Sequence, residues 1–224
     1  CQKIPIPISH NLEKARTIRY LIWQLNLEGQ EGCYIEFGVA YGNSIRAAQL
    51  AIEHSKYKEL GIQAQERNIY GFDTFSSFSS ESLIDQHPVW KGPLFSANYD
   101  QVKKRFKRNS NVYLFEQDVT KLAEETNEHV YLEKFGIEQP AGLILFDLDL
   151  YEPTFSALIF CKKLLKDGTF LMFDEYCAFR GRNDRGERRA IREFLSLNPI
   201  FDFEPVTSYG AGGQVFVVHI KDSQ

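Results

Sequence analysis

A chain of 224 residues and 25.9 kDa, 43% hydrophobic and 25% charged, has the make-up of one soluble folded domain, which excludes fibrous, disordered and disulfide-scaffold classes. With 26 Lys and Arg against 30 Asp and Glu, the formal charge of −4 leaves no overall basic field to hold a nucleic-acid backbone, and no nucleic-acid partner is expected. Cys1, Cys33, Cys161 and Cys177 form no CxxC pair and read as free thiols. No apolar run approaches the roughly 20 residues that cross a bilayer. The opening CQKIPIPISHN lacks a basic stretch followed by an apolar one, so a cytoplasmic protein with no membrane partner is expected.

In chain order, Ala15, Ile18, Leu21, Ile22 and Leu25 stand at helical spacing and predict an amphipathic helix over Leu12 to Leu27, within an N-terminal helical segment of residues 1–30. CYIEFG then reads as a short apolar strand, and GVAYGNS as a tight loop with Ser44 as a candidate cap of the helix that follows. NIYGFDTF, NVYLFEQD, AGLILFDLDLY and GTFLMFDEY read as further strands, and each of them finishes in acid. Helices are predicted over Tyr99–Lys107, Thr154–Lys166 and Glu187–Leu197. FDFEPV and QVFVVHI, separated by the turn-rich SYGAGG, predict a closing β-hairpin. Apolar strands alternating with helices call for a parallel, doubly wound α/β sheet in a single domain. Residues 76–97, polar and broken by Gly and Pro, are too long for a plain connection and read as a lid or insert carrying His87 and Trp90.

In such a sheet, ligands bind beyond the carboxyl ends of the strands, where the acids gather. Gly38 and Gly42 in EFGVAYGNS allow a ligand close to the backbone, or else form an ordinary tight turn. The spacing is GxxxG, not the GxGxxG of dinucleotide sites. Asp73 is placed to take a ribose diol or to cap its turn. Asp118 can meet an adenine amino group or cap the helix near Thr120. The strongest signal is Asp147-Leu-Asp149 at one strand end and Asp174-Glu175 at the next. Facing carboxylates on adjacent tips need a positive partner: a hard divalent cation such as Mg²⁺ or Mn²⁺, or arginines from the run Arg180–Arg192. That run also contains Asp184 and Glu187 and equally suits a solvated helix face. Of the five histidines, His87 alone is placed to act as a general base.

EFGVAYGNS, YGFDTF, WKGPLFSANYDQVKKRF, FDLDLYEPT, GTFLMFDEY and ERRAIREF, in that order, resemble the macrocin O-methyltransferase family, which belongs to the class I S-adenosylmethionine-dependent enzymes. The resemblance implies a Rossmann-like, seven-stranded, mostly parallel sheet with an antiparallel C-terminal hairpin. It further implies that Glu36, Gly38, Gly42 and Ser44 lie along the methionine part of the cofactor, Asp73 at its ribose and Asp118 at its adenine. Asp147, Asp174 and Glu175 would hold Mg²⁺, and Asp149, Asp147 or His87 would serve proton transfer from a small-molecule hydroxyl acceptor. The chain departs from the family where Asp174-Glu175-Tyr176 replaces Asp-Asp-Tyr, and in the arginine-rich stretch after Cys177. A homo-oligomer is compatible with this reading. The Asp-x-Asp also suits a metal-dependent glycosyltransferase or, less well, a phosphohydrolase, and the fold could serve as a non-catalytic binding module.

Overall fold

Five apolar runs form parallel strands: β1 (Cys33–Phe37), β2 (Ile69–Asp73), β3 (Val112–Glu116), β4 (Ala141–Phe146) and β5 (Phe170–Phe173). The hairpin β6 (Phe201–Tyr209) and β7 (Gly213–Ile220) completes a sheet of order β3-β2-β1-β4-β5-β7-β6, with β7 antiparallel to β5. The architecture comes from a computed structural model that describes residues 5–54, 65–76, 85, 87, 96–123 and 133–221. Most of the expected lid over 76–97 lies outside the described residues, as does the predicted helix beyond residue 54. Among the described residues, no helix is long and apolar enough to cross a membrane.

The register of the parallel strands is visible in one row of rings. Phe115, Phe72, Phe37, Phe146 and Phe173 are direct partners across the five strands. Their rings stack at 5.1, 5.3, 5.6 and 4.6 Å between centroids. Side chains alternate along a strand, so a slip of one residue would turn every ring to the opposite face. The row faces α4 (Tyr151–Cys161) and α5 (Gly186–Leu197), and Phe160 of α4 packs edge-on against Phe37. The opposite face, with Tyr34, Leu143, Leu145 and Met172, is covered by α1 (Ile6–Leu27), α2 (Asn43–His54) and Val102 of α3 (Tyr99–Arg105). Asp73, Asp147 and Asp174 each follow a ring of the row, so the alternation directs them toward the α1 face.

The helix boundaries differ from the periodicity at informative points. α1 begins at Ile6 rather than Leu12, because Pro5 and Pro7 sit where a helix start tolerates missing amide donors. β6 continues to Tyr209 and takes in residues that read as turn. α4 starts three residues early, at Tyr151, and its end tightens into a 3₁₀ turn at Lys162–Leu164.

The ring row implies a large truncation penalty. Phe146→Ala is expected to cost about 3–5 kcal/mol of unfolding free energy, and Phe146→Leu clearly less. Urea denaturation would show this as a lower midpoint with an unchanged slope.

Candidate functional site

Strained backbone gathers at one edge of the sheet. Among the described residues, the non-glycine positions with positive φ are Ala40, Phe75, Asp149, Phe179 and Arg180. They lie in the loops after β1, β2, β4 and β5, the carboxyl ends of the strands. Such conformations cost of order 1–3 kcal/mol each and collect where ligands are handled. Asp149, at φ 62, sits at the centre of a three-residue turn closed by Leu150 N donating to Leu148 O at 2.6 Å. The chain leaves β1 toward β2 on one side, and β4 pairs on the other, so the gap between the tips of β1 and β4 is the topological switch point.

The glycines of the first loop are dictated by protein contacts. A Cβ on Gly38 would stand 1.9 Å from the Asp147 carbonyl oxygen, and one on Gly42 would stand 2.8 Å from the Phe106 ring; both residues have positive φ. The tight-turn alternative therefore accounts for them, and the loop lies directly on the tip of β4. Arg105 of α3 clasps this loop through the Tyr41 carbonyl oxygen and Asn43. Glu36, expected to line a cofactor, is fully buried instead. Tyr34 OH donates to its Oε2 at 2.6 Å and Ser44 Oγ to its Oε1 at 3.0 Å. It ties β1 to the start of α2, and burial pushes its carboxyl up to about 8 against the pull of the two hydroxyls.

Asp73 bridges two loops. Its Oδ2 accepts from Ala40 N and its Oδ1 from Phe75 N, both at 2.7 Å. Burial pushes its carboxyl upward while these amides oppose the shift. Asp118 takes the capping alternative: its Oδ1 accepts from Thr120 N at 3.1 Å and Thr120 Oγ at 2.6 Å.

Asp147 and Asp174 come together as their strand ends predict, and the positive side chain between them is Lys14 rather than an arginine of the 180–192 run. Lys14 Nζ lies 2.6 Å from Asp147 Oδ2 and 2.5 Å from Asp174 Oδ2, its side chain 8% exposed. Burial lowers the lysine's hold on its proton, but the two carboxylates more than offset this and keep it charged. His10, one helical turn earlier, donates from Nε2 to Asp174 Oδ2 at 2.9 Å while its Nδ1 accepts from Ala211 N at 2.9 Å. That pairing puts the ring proton on Nε2. Tyr209 OH donates to Asp174 Oδ1 at 2.8 Å. Against burial, His10 and Lys14 hold the Asp174 carboxyl below its usual range. The end of α1 is docked on the β6–β7 turn by this histidine and by Glu13, which accepts from Gly210 N at 2.9 Å.

Asp149 and Glu175 flank this ion pair. Burial first, then the neighbouring carboxylates, push both well above the usual acid range. Glu175 Oε2 and Glu187 Oε1 are buried without a hydrogen-bond partner. Glu187 does not lie on a solvated face: it is 1% exposed, and its Oε2 accepts from Glu175 N at 3.0 Å. From the expected insert, Asp85 accepts from Tyr151 N at 2.7 Å and Gly186 N at 3.1 Å, pinning the starts of α4 and α5 together. His87 sits edge-on to Phe179 at 5.3 Å, and burial lowers its affinity for a proton. Phe179 in turn packs at Gly186, beside Asp149. Arg182 pairs with Asp184 on the surface, and Arg188 and Arg189 lie over the rings of Tyr176 and Tyr151.

These contacts decide the expected metal site. A divalent cation bridging Asp147 and Asp174 would have to stand where the Lys14 ammonium already spans them. His10, Asp174 and Glu175 bring one donor each within 4.8 Å of one another, yet Asp174 already accepts from three donors, two of them on one oxygen. In this arrangement the residues do not fit the expected Asp147, Asp174 and Glu175 seat for Mg²⁺ or Mn²⁺.

No family model matches the sequence, and no curated protein matches it. Solved structures do. The calicheamicin methyltransferase CalS11 superposes with a TM-score of 0.65 at 22% identity, covering 91% of this chain and 77% of that one. This chain has the fold of the class I methyltransferases. The apo form of CalS11, described as a TDP-rhamnose 3'-O-methyltransferase of calicheamicin biosynthesis, gives 0.58 at 22% identity over 94% and 79%. The O-methyltransferase NovP gives 0.65 at 16% over 91% and 78%. An O-methyltransferase from Bacillus cereus, solved in complex with SAH, gives 0.53 at 15% over 92% and 81%.

His10, Lys14, Tyr209, Asp85 and the buried Glu187 carry site geometry that the strand-end motifs do not announce. For Lys14 there is a signal: it falls four residues before Ile18 on the stripe Ile18, Ile22, Leu25, and a charge on an apolar stripe asks for a buried partner.

Glu36 supplies a pH test. Its carboxyl stands at about 8 when folded against an ordinary 4.5, so the folded state holds the extra proton and stability falls as pH rises from about 4.5 to about 8. Glu36→Gln removes this proton. The stability of the native chain relative to the variant is expected to decline across that window by at most about 1.4 kcal/mol per pH unit, and to be flat on either side. Urea titrations at a series of pH values measure it.

Proposed function

We propose that this chain is an S-adenosylmethionine-dependent O-methyltransferase that acts on a hydroxyl of a small molecule, a sugar or a glycosylated metabolite. The observation that carries the reading is Asp149: a strained carboxylate at the switch point, held beside the Lys14-bridged pair Asp147 and Asp174, in the fold of O-methyltransferases. The naming of CalS11 as a TDP-rhamnose methyltransferase supports a sugar-like acceptor.

The donor set at the β1 and β2 tips fits the cofactor. Each Asp73 oxygen accepts one amide hydrogen bond with its partner at 2.7 Å, which leaves acceptor capacity for ribose hydroxyls. The left-handed turn through Gly38 and Ala40 brings main chain to the same edge. Glu36 and Ser44 act from below, by fixing the loop to α2. When bound, S-adenosylmethionine supplies a methyl group on a positively charged sulfur. Asp149 takes the proton of the acceptor hydroxyl while that oxygen bonds to the methyl carbon and the carbon–sulfur bond breaks, leaving an uncharged thioether. In its ionised form, a carboxylate with a raised proton affinity is the stronger base for this step. His87 is kept as an alternative proton carrier at the rim, next to Phe179. No divalent cation is assigned to this step, because the Lys14 ammonium spans Asp147 and Asp174.

Calorimetry with S-adenosylhomocysteine tests the reading. The native chain should bind it, and Asp73→Ala should weaken binding by about tenfold or more, the scale of a lost hydrogen bond to a charged group. Asp149→Asn should bind within about threefold of native yet transfer no radiolabelled methyl to a panel of free and nucleotide-linked sugars. Absence of binding by the native chain would overturn the proposal.

A further inference from the structure

We infer that Lys14 is the resident cation of this site: its ammonium takes the place of a bridging divalent metal between Asp147 and Asp174, so the site is assembled and works without one. The inference rests on the methyltransferase reading above.

Three observations support it. First, the ammonium is equidistant from the two strand tips, 2.6 and 2.5 Å from one oxygen of each carboxylate. Two opposed carboxylates drawn out of water need a counter-charge in that gap, and an ammonium there supplies one and relieves their direct repulsion. Second, the lysine is placed rather than draped. Its helix is anchored at the same end by His10 and Glu13 on the β6–β7 turn, at 2.9 Å each to Ala211 N and Gly210 N. A Cβ on Gly210 would stand 2.2 Å from His10 Nδ1, so the turn is shaped to receive this helix. Third, both oxygens of Asp174 are engaged: Oδ2 accepts from His10 as well as Lys14, and Oδ1 accepts from Tyr209. A hard ion needs several oxygens free to turn toward it, and here the Asp174 oxygen that faces Asp147 across the gap already accepts from both Lys14 and His10.

The lysine is a positioning residue. It holds Asp147 and Asp174 together and leaves Asp149, the neighbouring carboxylate, for the acceptor. An ammonium has three N–H donors, and two are committed to the carboxylates.

The experiment is a MnCl₂ titration followed by electron paramagnetic resonance, with S-adenosylhomocysteine calorimetry on the same preparations. The native chain is expected to leave the free Mn²⁺ signal undiminished up to about 1 mM, because the seat is filled. Lys14→Gln, with folding checked by circular dichroism, should gain one Mn²⁺ site at least about tenfold tighter than anything in the native chain, and that site should vanish in the Lys14→Gln/Asp147→Asn double variant. Lys14→Met, which keeps the apolar stem, replaces Lys14→Gln if the latter does not fold. Stoichiometric Mn²⁺ binding by the native chain that Asp147→Asn abolishes would overturn the inference while leaving the methyltransferase reading intact. A folded lysine variant that gains no Mn²⁺ site would also overturn it, since the carboxylates would then be no cation seat at all. Failure of the native chain to bind S-adenosylhomocysteine would overturn the reading beneath it, and the inference with it.

Discussion

Two carboxylates at neighbouring strand tips, turned into a space that a helix closes over, impose the condition the rest of the site must meet. Asp147 and Asp174 are brought side by side by the pairing of β4 with β5, and Asp174 is 3% exposed. Water screens them only in part, since the Asp147 side chain is 24% exposed, and like charges at this range would drive a proton onto one of them or push the strands apart. Lys14 resolves the conflict from a segment more than a hundred residues distant in sequence. Its own burial would be untenable without the pair of acids. Removing the lysine would leave two facing carboxylates with no cation between them, so the cluster ties α1 to the tips of β4 and β5.

The ring row shows how that condition is built into the chain. Phe115, Phe72, Phe37, Phe146 and Phe173 lock five strands in register on the α4 and α5 face. The pleat then sends the following residue to the other face, under α1. The apolar core on one side thus determines where the acids stand on the other. The strained residues follow from the same layout: the loops that leave this edge must turn sharply around a crowded tip, as the approach of Gly38 to the Asp147 carbonyl demonstrates.

Much of this was legible in the sequence. The strand runs, the closing hairpin and the acids at the strand ends all carry local signals, and periodicity with terminal Asp residues is enough to find them. What escaped was long-range. Gly38 and Gly42 announce a close approach, but sequence does not say which protein atoms approach; they are the Asp147 carbonyl and the Phe106 ring. Asp118 could cap or bind, and the short turn beginning at Val119 takes its carboxylate as a cap. Glu187 reads as one charge among many in an arginine-rich run, yet it faces inward from α5. His10 lies ahead of the predicted start of α1, where two prolines disguise the helix, and its role depends on a turn two hundred residues later. Lys14 was readable only as an anomaly in an apolar stripe.

The most direct test is a crystal structure of the chain grown with S-adenosylhomocysteine and Mn²⁺, with diffraction recorded at the manganese absorption edge. The account predicts cofactor density across the tips of β1 and β2 with Asp73 at the ribose, the Lys14 ammonium between Asp147 and Asp174, and no anomalous peak there. An anomalous peak bridging those two carboxylates, with Lys14 swung away, would contradict it.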